Sequence, residues 1–197
     1  MGFLDILTGR RKLAQPAEDR LFAISTAYVT FETGLGITTR GSAAIVFQSL
    51  ATADFTTIVR DMEEVVRATA SDSATTVEKS ADSYGYSWLI LRGSDFDDLV
   101  VGINAVSGAL QAGGYGDRLL CSVFAFQDDS DPAHPRPLYW IYNYKRGTFY
   151  PFVPTGAPGG SNTRDNEREL VLKAQAANEL PIEPELSRWF PLWGIPV

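Results

Sequence analysis

The stretch Leu138 to Phe152, LYWIYNYKRGTFYPF, packs seven aromatic side chains around one short basic turn, Lys145-Arg146-Gly147, and the rest of the chain reads as cover for it. Leu138, Trp140, Tyr142 and Tyr144 fall on one side and Tyr139, Ile141 and Asn143 on the other. That is the two-residue period of a strand, in residue types that suit a pleated surface. Gly147 permits a tight reversal into a second strand, Thr148 to Phe152. Helical period appears twice, most clearly in the first of the two stretches. Behind Asp54, a capping residue, Phe55, Ile58, Val59, Met62, Val65 and Val66 share one face while Arg60, Asp61, Glu63, Glu64 and Arg67 take the other. Behind Ser94 or Asp95, Phe96, Leu99, Val100, Ile103, Val106 and Leu110 form an inner stripe that Gly113-Gly114 closes.

Weaker patterns fill the intervals. Pro16 to Phe22 and Ser25 to Leu35 predict two short helices, the second capped by Ser25 or Thr26 and ended by Gly34 and Gly36. The unbroken run Ala43 to Phe47, the segments Val77 to Ser80 and Tyr86 to Arg92, and Arg118 to Phe126 predict strands. Gln127 to Pro137 is a loop by composition, and Val153 to Ser161 a linker. Asn162 or Thr163 opens a last helix with Asp165 and Glu167 in its first turn, ending before Pro181. The order strand, helix, strand, strand, helix, strand, then a hairpin and a helix, predicts an α+β fold. Its core is a split βαβ (ferredoxin-like) unit with both strong helices on one face of a mostly antiparallel sheet. The N-terminal helices and the tail are then expected over the other face or the sheet edges. The tail, PIEPELSRWFPLWGIPV, holds four prolines and cannot be one helix. Trp189, Phe190 and Trp193 are too apolar to hang in solvent, so it should wrap back onto the body. The expected organisation is an arm over 1–15, one α+β domain over 16–180 and a packed tail over 181–197.

Composition narrows the function. With 45% hydrophobic residues over 197 positions the chain can bury a sizeable core, and a net charge of −7 argues against nucleic acid as a partner. Cys121 is the single cysteine, which excludes an internal disulfide and a cysteine-ligated zinc site; in its apolar run it reads as a buried small hydrophobe. His134, also single, sits in an acidic Pro-flanked loop away from any nucleophile. No apolar run approaches the roughly 20 residues that cross a bilayer, and no signal peptide is legible, so a cytoplasmic location is expected. Asp95, Asp97 and Asp98 read as dipole partners of a helix start in preference to metal ligands. No metal or cofactor site is expected, and no catalytic set.

Two stretches carry candidate binding chemistry. Lys145 and Arg146 at the hairpin tip, flanked by Tyr144 and Tyr150 and with Arg164 beyond the linker, could grip a phosphate or carboxylate. The plain alternative is that cations decorate exposed hairpin tips and aromatics belong in strands. The opening MGFLDILTGRRK sets Phe3, Leu4, Ile6 and Leu7 ahead of Arg10, Arg11 and Lys12, a short amphipathic arm. It suits docking on protein more than on an anionic membrane surface, because four apolar side chains give little area.

The opening MGFLDILTGRRK, the hairpin YKRGTFYPFVPTG, the helix start RDNERELVLKAQ and the ending ELPIEPELSRWFPLWGIP together resemble the PspAB family, associated with the phage-shock protein PspA. DSYGYSWLILRGSDFDDLV and LLCSVFAF match more weakly, and Gln127 to Pro137 matches nothing. The resemblance implies a non-enzymatic accessory protein of an envelope-stress system, cytoplasmic or peripheral at the inner face of the membrane. Its implied partner is PspA, a coiled-coil membrane-remodelling protein. It brings no catalytic residues to carry over. The rival expectation is a small-anion or small-molecule domain, or an enzyme, centred on Lys145 and Arg146.

Overall fold

The computed structural model describes residues 18–70, 75–82, 85–131, 133–156 and 161–197. In chain order these form α1 (Glu18–Leu21), α2 (Ala23–Leu35), β1 (Ile37–Gln48), α3 (Ala53–Ala70), β2 (Thr76–Ala81), β3 (Tyr86–Arg92), α4 (Phe96–Ala112), β4 (Leu119–Asp128), β5 (Arg136–Asn143), β6 (Thr148–Phe152) and α5 (Asn166–Ala176). The six strands make one sheet in the order β2-β3-β1-β4-β5-β6, and every neighbouring pair is antiparallel. The α+β expectation holds: β3 lies between β1 and β2, and β1 between β3 and β4, so each helical crossover spans one intervening strand.

Alternation along the strands divides the core in two. Ala43, Ile45, Phe47, Leu89, Leu91, Phe124, Phe126, Leu138, Trp140 and Tyr142 face the helices. There they meet the Phe96–Leu110 stripe of α4 and Phe55, Val59 and Met62 of α3. Asp95 caps α4 as expected, accepting hydrogen bonds from the backbone N–H of Asp97 at 2.9 Å and of Asp98 at 3.2 Å. The side chains of Asp54, Glu63, Val65, Val66 and Arg67 lie outside the described residues.

Three expectations need correction. The N-terminal helices do not cross to the other face: Leu21, Ile24, Ala27 and Phe31 join the same helical layer, and Phe31 stacks on Trp140 with centroids 5.4 Å apart. Nor does Ser25 or Thr26 cap α2, which begins at Ala23 behind an uncapped Phe22. Similarly Asp165, not Asn162 or Thr163, caps α5 by accepting from the Arg168 N–H at 2.9 Å.

The opposite face carries Ala44, Val46, Trp88, Ile90, Val123, Ala125, Tyr139, Ile141, Tyr150 and Phe152. Its cover is residues 181–197, a strap with little regular structure beyond a single turn at Leu186–Arg188. Trp189 and Val197 are buried against it, with Ile182, Leu192, Trp193 and Ile195 half-buried. Phe190 breaks the expectation that all three large aromatics of the tail are covered, for it is 60% exposed. Its carbonyl accepts the Tyr150 hydroxyl at 3.1 Å, which anchors the backbone here while the ring stays outside.

Candidate functional site

A segment with prolines at 181, 184, 191 and 196 cannot close its own backbone hydrogen bonds, and buried carbonyls without donors are costly. Side chains of the body supply the donors. The strap starts by bridging β6: Phe149 N–H donates to Pro181 O and Glu183 N–H to Phe149 O, both at 2.8 Å. Arg164 Nη1 then donates to Trp189 O at 2.7 Å, Arg92 Nη2 to Pro196 O at 2.9 Å, and the Tyr139 hydroxyl to Val197 O at 3.4 Å.

Three buried carboxylates pair with arginines around the strap and the body, and one of them, Glu169, holds the strap donor Arg164. Glu183, 2% exposed in its side chain, takes Arg146 in an ion pair, accepts from Thr148 Oγ1 at 3.1 Å, and lends its carbonyl to Trp189 Nε1 at 3.0 Å. Burial by itself would raise the Glu183 carboxyl, but hydrogen bonds from Arg146, the Glu185 N–H and Thr148 outweigh it and hold the group below its usual range. Glu169 accepts from Arg164 Nε at 2.8 Å and from Val153 N–H at 2.9 Å. There burial prevails over Arg164, and the carboxyl is raised. Asp128 receives Arg168 Nε at 2.7 Å and Ser130 Oγ at 2.6 Å; these contacts overcome the effect of burial and lower it.

The five residues of the hairpin-tip candidate therefore separate. Arg146 is committed to Glu183 and Arg164 to Glu169 and the strap, with its guanidinium 5.1 Å above the Phe152 ring. Tyr144 turns into the helical layer, where its hydroxyl lies 2.7 Å from Ser122 Oγ. Desolvation raises its pKa well above that of a free phenol, as it does for Tyr150. Lys145 and Tyr150 alone of the five come to one place. Gly147 makes the turn as expected, with a φ of 63°, and its N–H donates to Asn143 O at 2.8 Å. The arm residues Phe3, Leu4, Leu7, Arg10, Arg11 and Lys12 lie outside the described residues.

The place where Lys145 and Tyr150 meet is a cleft of about 470 Å³ between the sheet and residues Phe190–Trp193 of the strap. Val46, Trp88, Leu120 and Cys121 contribute to its floor, and Tyr86, Asp82, Asn143 and Lys145 also line it. Both oxygens of Asp82 are in use, Oδ1 by the Tyr86 N–H and Oδ2 by Trp88 Nε1, each at 3.0 Å. Cys121 faces this apolar space, and burial pushes its thiol up to about 12, so it is a neutral wall and no nucleophile at ordinary pH. Lys145 is exposed and has no carboxylate partner among the described residues, while its N–H donates to Asn143 Oδ1 at 3.0 Å and so fixes its place in the turn. Pairing of Val46 with Trp88 on one side and with Cys121 on the other brings distant segments together to form this cleft, so local spacing held little sign of it. The available signals were Lys145 and Tyr150 at the hairpin and the large aromatics of the tail.

Among the described residues no group of three or more His, Cys, Asp and Glu side chains is placed to hold a metal, and no helix is long and apolar enough to cross a membrane. Against models of protein families, the chain matches PspA associated protein B (PspAB) over residues 1–197, and it belongs to that family. The family description associates it with PspA. No curated protein and no solved structure matches the chain.

Proposed function

We propose that this member of the PspA associated protein B family acts by binding, as a non-enzymatic accessory or adaptor protein that meets a coiled-coil PspA partner through direct protein contact. The observation that supports this reading is the cleft under the strap. It is open on one side, and apolar rings at its edge, Phe190 at 60% and Tyr86 at 37% exposure, face solvent. A binding surface on another protein would cover such rings, whereas Glu183 and Glu169 are already taken up in ion pairs that hold the strap. The rival reading, an anion site at the hairpin tip, keeps only Lys145, because Arg146 and Arg164 neutralise Glu183 and Glu169. On this proposal the protein works in the cytoplasm, at or near the inner face of the membrane where its partner acts. Immobilised protein should retain purified PspA at about ten micromolar; absence of retention rejects direct contact.

A further inference from the structure

We infer that the strap cleft recognises one kind of segment in its protein partner: two bulky apolar side chains with a carboxylate beside them. The apolar groups sit against Trp88 and Trp193, and the carboxylate sits on Lys145. The inference rests on the binding reading above and gives it a site and a chemistry.

Shape comes first. The cleft is in the size range of pockets that enclose a compact organic group, ~300–1,000 Å³, but it is not closed. Its apolar lining continues outward onto Phe190 and Tyr86, so a free small molecule would leave that rim wet. A side chain delivered by a protein would bring further surface to cover it. The roof is also well held for a recognition surface. Tyr150 and Arg164 grip the carbonyls of Phe190 and Trp189, and the Phe152 ring stands edge-on to Trp193 with centroids 5.1 Å apart. Little ordering is then needed when the partner arrives.

Charge selects next. Of the described residues lining the cleft, Lys145 carries the one cation; Asp82 is also charged, but each of its oxygens already accepts a hydrogen bond, from the Tyr86 N–H and Trp88 Nε1, and the Cys121 thiol is held neutral, so Lys145 is the group placed to receive an anion. A chain of net charge −7 repels acidic partners at long range, so an acid docks here only where apolar contact accompanies it. That requirement is what makes the pairing of apolar and acidic groups specific.

The test uses the full chain and purified PspA in a calorimetric titration, with Phe190→Asp, Lys145→Glu and Lys145→Arg as variants. Val101→Asp, on the exposed side of α4, is the control. The expected result is a loss of about tenfold or more in affinity for Phe190→Asp and Lys145→Glu, and little change for Lys145→Arg and Val101→Asp. Wild-type binding that neither cleft variant weakens overturns the cleft and leaves the binding proposal standing. A second arm pans a displayed random-peptide library on the full chain. Enrichment of apolar-acidic sequences that fail to bind Lys145→Glu supports the inference even where PspA is not retained. Absence of such a consensus, or enriched peptides indifferent to both cleft variants, overturns it. Unchanged circular-dichroism melting curves for Phe190→Asp and Lys145→Glu show that each variant remains folded.

Discussion

On one face of the sheet Phe124, Trp140 and Tyr142 lie under helices whose hydrogen bonds are internal; on the other Val46, Trp88 and Tyr150 lie under a strap whose carbonyls need donors from elsewhere. The helical cover demands only apolar complementarity from the sheet. The strap demands specific donors as well, and Arg164, Arg92, Tyr139 and Tyr150 provide them. The described core residues of the helical face are buried. The strap, tied at separate points, leaves the cleft that the proposed function uses.

Removing the strap should break this comparison most severely. A chain ending at Leu180 uncovers Val46, Trp88, Ile90, Tyr150 and Phe152 together, and it is expected to aggregate when measured by size-exclusion chromatography. A soluble monomer with unchanged melting temperature would mean the strap is not part of the core. Phe124→Ala, in the fully buried helical layer, should cost ~3–5 kcal/mol in denaturant unfolding, spread over the whole domain.

Glu183→Ala tests the strap's own logic. It strips Arg146, Thr148 and the Glu185 N–H of their shared acceptor and should cost about 1–3 kcal/mol. Its signature is a change in Trp189 and Trp193 fluorescence at denaturant concentrations where the helical signal persists. Acid should act on the Glu183 tie, and on the Asp128 pairs with Arg168 and Arg136 within the body. Glu183 and Asp128 ionise below their usual range in the folded chain. The stability they add is thus complete above an unfolded pKa of about 4 and disappears as pH falls through the lower folded values. Glu169 opposes them, since its raised pKa favours the folded state on protonation, so the fluorescence transition of the strap should follow Glu183. A strap signal that stays level through that acid range would exclude the Glu183 ion pair as its tie. Smallest of all, Phe190→Asp should change stability by no more than about 0.5 kcal/mol, because the ring is mostly in solvent. A larger loss in thermal melts would make Phe190 a core residue and remove the rim of the cleft.

Particular residues show how far the sequence could be read. The α4 stripe and the two sides of β5 were legible because periods of 3.6 and 2 are local properties of the backbone, and each predicted inward residue of α4 is buried. Arg146 was legible as a cation at a hairpin tip but not as a strap tie, since its partner Glu183 stands 37 residues away. Asp165 was visible as a first-turn acid, yet the backbone places it one step earlier, as the cap. The tail's need for cover was evident from its tryptophans, while the outward turn of Phe190 was not.

Chain composition and periodicity by themselves determined the helices, the strands, the inward stripe of each and the return of the tail, because these follow from where apolar side chains recur along a regular backbone. Only the tertiary structure decided that α1 and α2 share the layer of α3 and α4, that Arg146 and Arg164 serve the strap, and that Lys145 faces a cleft. Those outcomes depend on which distant groups meet across the sheet, and an ion pair or a shared donor is fixed by proximity in space that no local spacing encodes.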